Sequence, residues 1–223
     1  MTASFLEKID WSRPWLAHVR TAGQAIAVAP DWRAELNRRA AEADLRNHRG
    51  LPIRFVPQAE LPPGVAYEMY ISQTGGVPTR ENLHDFFNAL VWLTFPKIKV
   101  QLNALQASEI EKWVAQKMSS QRGSLRDAAT IFDENAVLLI TTNGMLINAL
   151  RRHQWTEVFI THRQAFMEEC RVYLFGHALM EKLVLPYKAI TGHMYVLLCP
   201  PAEEIRLEFA QFDDLFATQM SDG

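Results

Sequence analysis

Residues 74–103 read TGGVPTRENLHDFFNALVWLTFPKIKVQLN, a stretch in which polar side chains stand among leucines, phenylalanines and a tryptophan. Polar groups in apolar surroundings either satisfy one another in a core or line a cleft where a ligand meets them, because burial without a partner is unfavourable. The polar residues in question are Arg80, His84, Asp85, Asn88 and Asn103. The stretch therefore predicts a buried helix and the candidate site of the protein.

The predicted helix begins at Thr79, a good N-cap residue, and ends at about Phe95, because the proline that follows disfavours helical geometry before it. Its leucines and phenylalanines form a broad apolar face. Arg80, His84 and Asn88 follow one another at intervals of four residues and so form a polar column beside that face. A helix with so little polar surface is expected to be buried, with the column facing a polar seam or a cavity.

The start of this helix has the features of an anion site. Two glycines and a proline precede Thr79 and Arg80, which would offer backbone N–H groups, the positive end of a helix dipole and a guanidinium group. A phosphate or carboxylate would bind there, with His84 and Asp85 one turn away. Capping alone is the alternative, since many helices start after glycine and proline without binding anything.

A second apolar segment is predicted to form one long helix over residues 162–185, in which His177 and Glu181 lie side by side. Such a pair can supply two ligands of a metal, or a base and the carboxylate that orients it. The alternative is a satisfied core pair, because the segment lacks the second histidine of an HExxH zinc motif.

Two later groups of polar residues add candidates. In SLRDAATIFDENA, Arg126 is a candidate for ligand binding, and Asp127 with the neighbouring acids either coordinates a cation or caps and turns the chain. His193 stands at the start of an apolar strand, and strand ends are common places for site residues. A divalent metal held by His84, Asp127 and His177 is the cofactor that these residues suggest.

The remaining patterns predict an α+β protein with a mixed sheet of short strands packed with long buried helices. It is expected to be a single domain over residues 1–223, with a helical N-terminal segment (1–50), a core (51–200) and a C-terminal tail (201–223). Further helices are predicted at 31–48, 98–117, 124–132 and 144–153. Strands are predicted at 53–56, 67–72, 136–142, 157–161, 194–198 and 205–209. The strand at 194–198 is expected to be central in its sheet.

Composition limits the class of partner and the compartment. The chain has 23 Lys and Arg against 25 Asp and Glu, so a nucleic-acid partner is not expected. The two cysteines form no CxxC pair, the N-terminus has acidic residues where a signal peptide is basic, and no apolar stretch has the length of a membrane span. We therefore expect a cytoplasmic protein with no membrane partner.

Three motifs carry a resemblance to a known family. They are PTRENLHDFFNALVWLTFPKIKVQLNALQ (78–106), RDAATIFDENA (126–136) and FGHALMEKLVLPYKAITGH (175–193). In this order they resemble the bacterial family known only as a domain of unknown function, DUF3025, from about Arg54 to Val196. The resemblance implies a single-domain protein and brings no reaction, cofactor or catalytic residue with it. The His84-Asp85 pair is also similar to that of the HD phosphohydrolases, with His48 and Asp127 in the outer positions, but the proline-rich stretch after His48 does not fit their helical bundle.

The leading hypothesis is a hydrolase that acts on a phosphorylated or otherwise anionic small molecule, with an optional divalent metal. Its catalytic residues would be His84, Asp85, His177 and Glu181, and its ligand-binding residues Thr79, Arg80, Asn88, Asn103, Arg126 and His193. The competing hypothesis is a non-catalytic ligand-binding or protein-interaction domain in which the same residues form a buried polar network. In either case the apolar stripe Phe209, Phe212, Phe216 and Met220 packs on its own domain or on a partner, a second copy of the chain included.

Overall fold

Helices form most of the fold and surround two small sheets. The computed structural model describes residues 4–115, 123–198 and 209–221. The α-helices are α1 (Arg20–Ala27), α2 (Trp32–Glu42), α3 (Tyr67–Thr74), α4 (Leu83–Thr94), α5 (Pro96–Ala115), α6 (Ser124–Asn135), α7 (Gly144–Arg151), α8 (Arg163–Glu169), α9 (His177–Lys182) and α10 (Phe209–Ser221). The strands are β1 (Arg54–Pro57), β2 (Gly76–Thr79), β3 (Ala136–Thr141), β4 (Cys170–Leu174) and β5 (His193–Leu198). The predicted α+β class is confirmed.

Helix α4 is the buried centre of the fold, as predicted. Phe86, Phe87 and Leu90 have no exposed surface, and Trp92 on another face is also buried. The helix ends where Pro96 begins α5, in agreement with the predicted stop. Helices α2, α5, α6 and α7 also confirm predicted helices, although α2 ends earlier than expected.

The predicted start of α4 is wrong. Its N-cap is Asn82, whose side chain accepts a hydrogen bond from the amide of Asp85 at 2.8 Å. Thr79 instead ends β2, which pairs in parallel with β1, and its hydroxyl donates to the carbonyl of Val77 at 2.7 Å. Because this hydroxyl is already used by the strand, Thr79 does not cap the helix.

The predicted strand over residues 67–72 is also wrong, because this segment forms α3. Helix α3 ends at Gly75, whose φ of 72° is the left-handed conformation that commonly terminates helices. A short apolar run does not distinguish a strand from a helix by its periodicity alone. The consequence for the site is that Tyr67 and Glu68 lie on the first turn of a helix that packs against α5.

The predicted helix over residues 162–185 is broken into α8, β4 and α9, and the predicted strand at 157–161 is a π-helical turn. Strand β4 pairs antiparallel with β3, so that tertiary pairing overrides the helical pattern. Gly176 then allows α9 to approach the end of α6. A Cβ at this position would lie 2.5 Å from the carbonyl oxygen of Glu134 and from the Cα of Asn135.

The larger sheet has the order β4-β3-β5, with β3 parallel to β5. The prediction that residues 194–198 are central is therefore wrong, since β3 is the central strand among the described residues. The predicted strand at 205–209 falls almost entirely outside the described residues, and Phe209 begins α10. No helix in the described ranges combines the length and the apolar character that crossing a membrane requires.

The C-terminal helix α10 folds back onto the domain, which is the first of the two predicted alternatives. Phe212 and Phe216 are buried, and Asp213 between them accepts hydrogen bonds from the amides of Lys97 and Ile98 at 2.7 and 3.0 Å. Asp213 therefore satisfies the free N–H groups at the start of α5. The side chains of the other two stripe residues, Phe209 and Met220, lie outside the described part.

Candidate functional site

One polar pocket of about 240 Å³ gathers most of the predicted site residues. Five helices, α3, α4, α5, α6 and α9, contribute to its wall, and every lining side chain carries a hydrogen-bonding group. The lining residues are Tyr67, Glu68, Arg80, His84, Asp85, Asn88, Gln106, Arg126, Thr130, Asp133, Glu134 and His177. A pocket of this size and polarity fits an ion or a small polar molecule.

Two histidines meet at the wall of this pocket. Nε2 of His84, on α4, lies 3.1 Å from Nε2 of His177, the first residue of α9, and the ring planes are 77° apart. His177 is buried, whereas His84 is partly exposed. Burial lowers the pKa of His177 to about 4, so that its imidazole is neutral at pH 7.

Carboxylates surround the two imidazoles. Nδ1 of His84 lies 3.0 Å from Oε2 of Glu181, and Nδ1 of His177 lies 3.9 Å from Oδ2 of Asp133. Oε1 of Glu134 lies 4.0 Å from Nε2 of His177. One ligand atom from each of His84, His177 and Glu134 can be chosen so that all three lie within 4.8 Å of one another.

The proton positions of this cluster are constrained. In the case where His84 has one ring proton and donates it from Nδ1 to Glu181, its Nε2 has a lone pair, and Nε2 of His177 must donate to it. Nδ1 of His177 then has a lone pair as well, although it is buried beside the Asp133 carboxylate without a hydrogen bond of normal geometry. A positive charge between the two Nε2 atoms, either a metal ion or one additional proton, removes this conflict, because both rings can then hold their protons on Nδ1, toward carboxylates.

A buried lysine fixes the charge of Asp133. Nζ of Lys99, on α5, donates to Oδ1 of Asp133 at 2.6 Å and to Oδ1 of Asn88 at 2.9 Å. Burial alone would raise the pKa of Asp133, but Lys99, with a smaller effect from His177, lowers it below its ordinary value. Asn88 in turn donates to the hydroxyl of Tyr67 at 3.0 Å. Asn88 therefore belongs to a network that ties α3, α4 and α5 together.

Arg80, which was predicted to bind an anion at the start of α4, binds the carboxylate of Asp85 instead. The guanidinium of Arg80 makes two hydrogen bonds of 2.9 Å to the carboxylate of Asp85, and the amide of Arg80 donates to the same carboxylate at 2.6 Å. Thr79 is buried, and Asn82 caps the helix. An anion at this point would have to compete with Asp85.

Arg126 offers a more available positive charge. It projects from α6 into the pocket wall, and its buried Nε makes no hydrogen bond to any described residue. Glu68 and Asn103 lie on neighbouring helices, and the side-chain amide of Asn103 donates to the carboxylate of Glu68 at 2.7 Å. Arg126 and Asn103 are thus at or next to the pocket, as their predicted role in ligand binding requires.

Two predicted residues are not part of this group. Asp127 is exposed on α6, seven residues from Glu134, which amounts to about 10 Å along a helix axis. His193 is exposed at the start of β5 and lines a different cleft, with His153 and Trp155. The HD arrangement is also not formed, since His48 lies opposite the hydroxyl of Ser72 at 2.8 Å, and neither His48 nor Asp127 lines the pocket.

Sequence reasoning did not assign a role to Lys99 or Glu68, and it considered Asp133 and Glu134 as cation ligands or as turn residues. A turn was favoured over cation coordination for these two acids because α6 was expected to end at Phe132, whereas it continues to Asn135 and places both on its last turn. A lysine between Ile98 and Leu102, on the apolar side of its helix, is the signal that would have identified Lys99. Glu68 had no such signal, since its segment was predicted to be a strand.

Comparison with protein families identifies this chain. The model of the family "Protein of unknown function (DUF3025)" matches residues 53–222, a range that contains every residue lining the pocket. A search of the curated proteins and a search of the solved structures give no match. The family match extends over well more than half of the chain and agrees with the resemblance carried by the three motifs. The protein therefore belongs to the DUF3025 family.

Proposed function

We propose that this protein is a metal-dependent hydrolase that acts on a small anionic molecule. The observation that carries the proposal is the convergence of His84, His177 and Glu134, whose ligand atoms lie within 4.8 Å of one another at the wall of a polar pocket. These residues come from three helices that are far apart in sequence. Two imidazoles and one carboxylate are a common ligand set of hydrolytic zinc sites.

The separation of the two imidazoles suits a shared ion. Two nitrogen ligands at about 2.1 Å from one metal, with an angle of roughly 90–110° between them, are about 3.0–3.4 Å apart. The Nε2 atoms of His84 and His177 are 3.1 Å apart. Glu134 at 4.0 Å from Nε2 of His177 would need a small rotation to become the third ligand. A fourth position is then left for water or substrate.

Groups beyond the three ligands support the same function. Oε2 of Glu181 lies at hydrogen-bond distance from Nδ1 of His84, and Oδ2 of Asp133 lies 3.9 Å from Nδ1 of His177, which it would reach after a small movement. Hydrogen bonds of this kind fix the ring orientation and make imidazole a better ligand. Because burial holds the pKa of His177 near 4, a metal at neutral pH does not compete with a proton for Nε2.

The anionic substrate is suggested by Arg126. Arg126 lines the same pocket, and its buried Nε makes no hydrogen bond to a described residue, so this N–H can donate to a phosphate or carboxylate. A divalent metal held by His84, His177 and Glu134 would supply a water of lowered pKa and a positive charge beside the bond to be hydrolysed. A volume of about 240 Å³ restricts the substrate to a small molecule or to the end of a larger one.

Metal analysis of the purified protein tests this proposal. We expect about one zinc or other divalent ion per chain in the wild type, and its loss in His84→Ala, His177→Ala and Glu134→Gln. Asp127→Asn is the matched control, because it changes an exposed acid on the same helix as Glu134. The metal-loaded protein is then assayed against phosphate esters, carboxylic esters and amides of small acids.

Stoichiometric metal without turnover of any compound in this panel would instead indicate a metal-binding domain, the non-catalytic alternative. A wild type that neither contains nor takes up a divalent ion would overturn the metal site itself.

A further inference from the structure

We propose that Glu68 is the acid–base residue of the pocket and that Asn103 holds it in position. The inference rests on the proposed function, which it extends by naming the group that moves the proton. Glu68 lies on the first turn of α3 and lines the pocket on whose wall His84, His177 and Glu134 converge.

Both hydrogens of one buried amide are given to Glu68. Nδ2 of Asn103 donates to the backbone carbonyl of Glu68 at 2.9 Å and to its Oε2 at 2.7 Å. Asn103 is 1% exposed, so these two bonds are made away from solvent. One carboxylate oxygen of Glu68 is thereby fixed.

This arrangement leaves Asn103 with an unsatisfied atom. Its Oδ1 is buried and has no hydrogen-bond partner among the described residues. Rotating the amide by 180° would not help, because Oδ1 would then face the carbonyl and the carboxylate of Glu68. A buried polar atom without a partner is unfavourable, so its persistence calls for a physical reason. Holding the Glu68 carboxylate in position would be a reason for the protein to retain Asn103 despite its unpaired Oδ1.

Burial and the neighbouring charges both act on the pKa of Glu68. Burial raises the pKa of Glu68 above its ordinary value, and the negative charge of Asp133 adds to this. Lys99 and Arg126 act in the opposite direction, as does the hydrogen bond from Asn103. A carboxyl that lines a pocket, has one oxygen fixed by Asn103 and has a raised pKa suits acid–base catalysis near neutral pH.

The reaction step is balanced in protons. The carboxylate of Glu68 takes one proton from the attacking water, whose oxygen forms a bond to the phosphorus or carbonyl carbon of the substrate. The bond to the leaving group breaks, and the same proton passes from Glu68 to the leaving oxygen or nitrogen. Water is consumed, no electron is transferred, and Glu68 returns to its starting state.

Glu68→Gln tests the inference, with Glu60→Gln as the control because Glu60 is an exposed glutamate outside this pocket. Metal content is expected to remain unchanged in both variants. In Glu68→Gln, kcat is expected to fall roughly 100-fold or more, with little change in KM, and the acidic limb of the pH–rate profile is expected to disappear. Unchanged kcat in Glu68→Gln, with metal bound, would refute the role of Glu68 and leave the metal site intact.

An infrared titration gives a readout that needs no substrate. The wild type is expected to show a protonated carboxyl band that persists above the pH at which an ordinary glutamate ionises and that is absent from Glu68→Gln. In Asn103→Ala the band is expected to persist to still higher pH, because the hydrogen bond that stabilises the carboxylate is lost. Identical titrations in the wild type and Glu68→Gln would overturn the inference, whether or not the protein binds metal.

Discussion

Nε2 of His84 lies 3.1 Å from Nε2 of His177, although the two residues are 93 positions apart in the sequence. Their meeting depends on α9 packing against both α4 and α6, which brings His177 beside the acids at the end of α6. Gly176, directly before His177, makes that close approach sterically feasible. The site therefore depends on one glycine as much as on its ligands.

Replacing Gly176 by alanine is expected to destabilise the protein and to abolish metal binding. The new Cβ would lie 2.5 Å from the carbonyl oxygen of Glu134, so α9 or the end of α6 must move. Overpacking of this kind costs about 1–3 kcal/mol. Urea unfolding and metal content measure the two effects. Gly144→Ala is the control, since nothing lies within 4 Å of a Cβ there; equal behaviour of the two variants would show that the approach at Gly176 is not critical.

Stability is expected to fall as the pH drops from about 6.5 toward 4 in the metal-free protein. Burial lowers the pKa of His18 and of His177 from 6.5 to about 4. Between these values the unfolded chain binds more protons than the folded protein, so each histidine stabilises the fold above pH 6.5 and loses this effect as the pH falls. The full shift corresponds to roughly 3 kcal/mol per residue.

Urea midpoints measured across this range test the sign and the origin of the pH dependence. His18→Gln should have a clearly flatter pH dependence than the wild type, because His18, bonded to the carbonyl of Leu174 at 2.8 Å, no longer contributes. A midpoint that is constant from pH 7 to pH 4.5 would contradict the prediction.

Lys99→Met is expected to destabilise the protein strongly. It removes the partner of Asp133 and leaves a buried carboxylate uncompensated, a change that costs about 3–5 kcal/mol. Lys97→Met, two residues away, removes an exposed pair with Asp214 and should cost less than about 1 kcal/mol. The double variant Lys99→Met with Asp133→Asn should recover part of the loss, and chemical denaturation of all four proteins measures it. Equal losses in the two lysine variants would disprove the role of burial.

The half of the site on α4 was predictable from sequence because its signal is local. A long apolar helix with a proline stop can only be buried, and the polar residues within it must then have partners. His84, Asp85 and Asn88 were identified in this way. Their partners could not be read from the helical pattern, although Arg80 is only five residues from Asp85. Asp85 binds Arg80 and Asn88 binds Lys99 and Tyr67, and neither contact follows from helical spacing.

The part of the site on α6 and α9 could not be predicted, because it depends on tertiary packing that hydrophobic periodicity does not indicate. His177 and Glu181 were predicted to be neighbours on one long helix, whereas both contact His84 from a short helix that follows a strand. Pairing of β4 with β3 overrides the helical pattern before Gly176, and the continuation of α6 to Asn135 decides which acids reach the histidines. For this reason Glu134, and not the predicted Asp127, is the α6 carboxylate that lies beside the two histidines.

The role of Arg126 in binding an anionic substrate can be tested before any substrate is known. In the metal-loaded protein, inorganic phosphate is expected to bind near the metal and to pair with the Arg126 guanidinium. Charge-assisted hydrogen bonds contribute about 1.5–3 kcal/mol, so Arg126→Met should weaken phosphate binding roughly 10- to 100-fold by calorimetry. Arg80→Met is the comparison, because its guanidinium is bound to Asp85 and an anion gains little from it. If Arg80→Met weakened binding more than Arg126→Met, the anion would lie at the start of α4, as the sequence alone predicted.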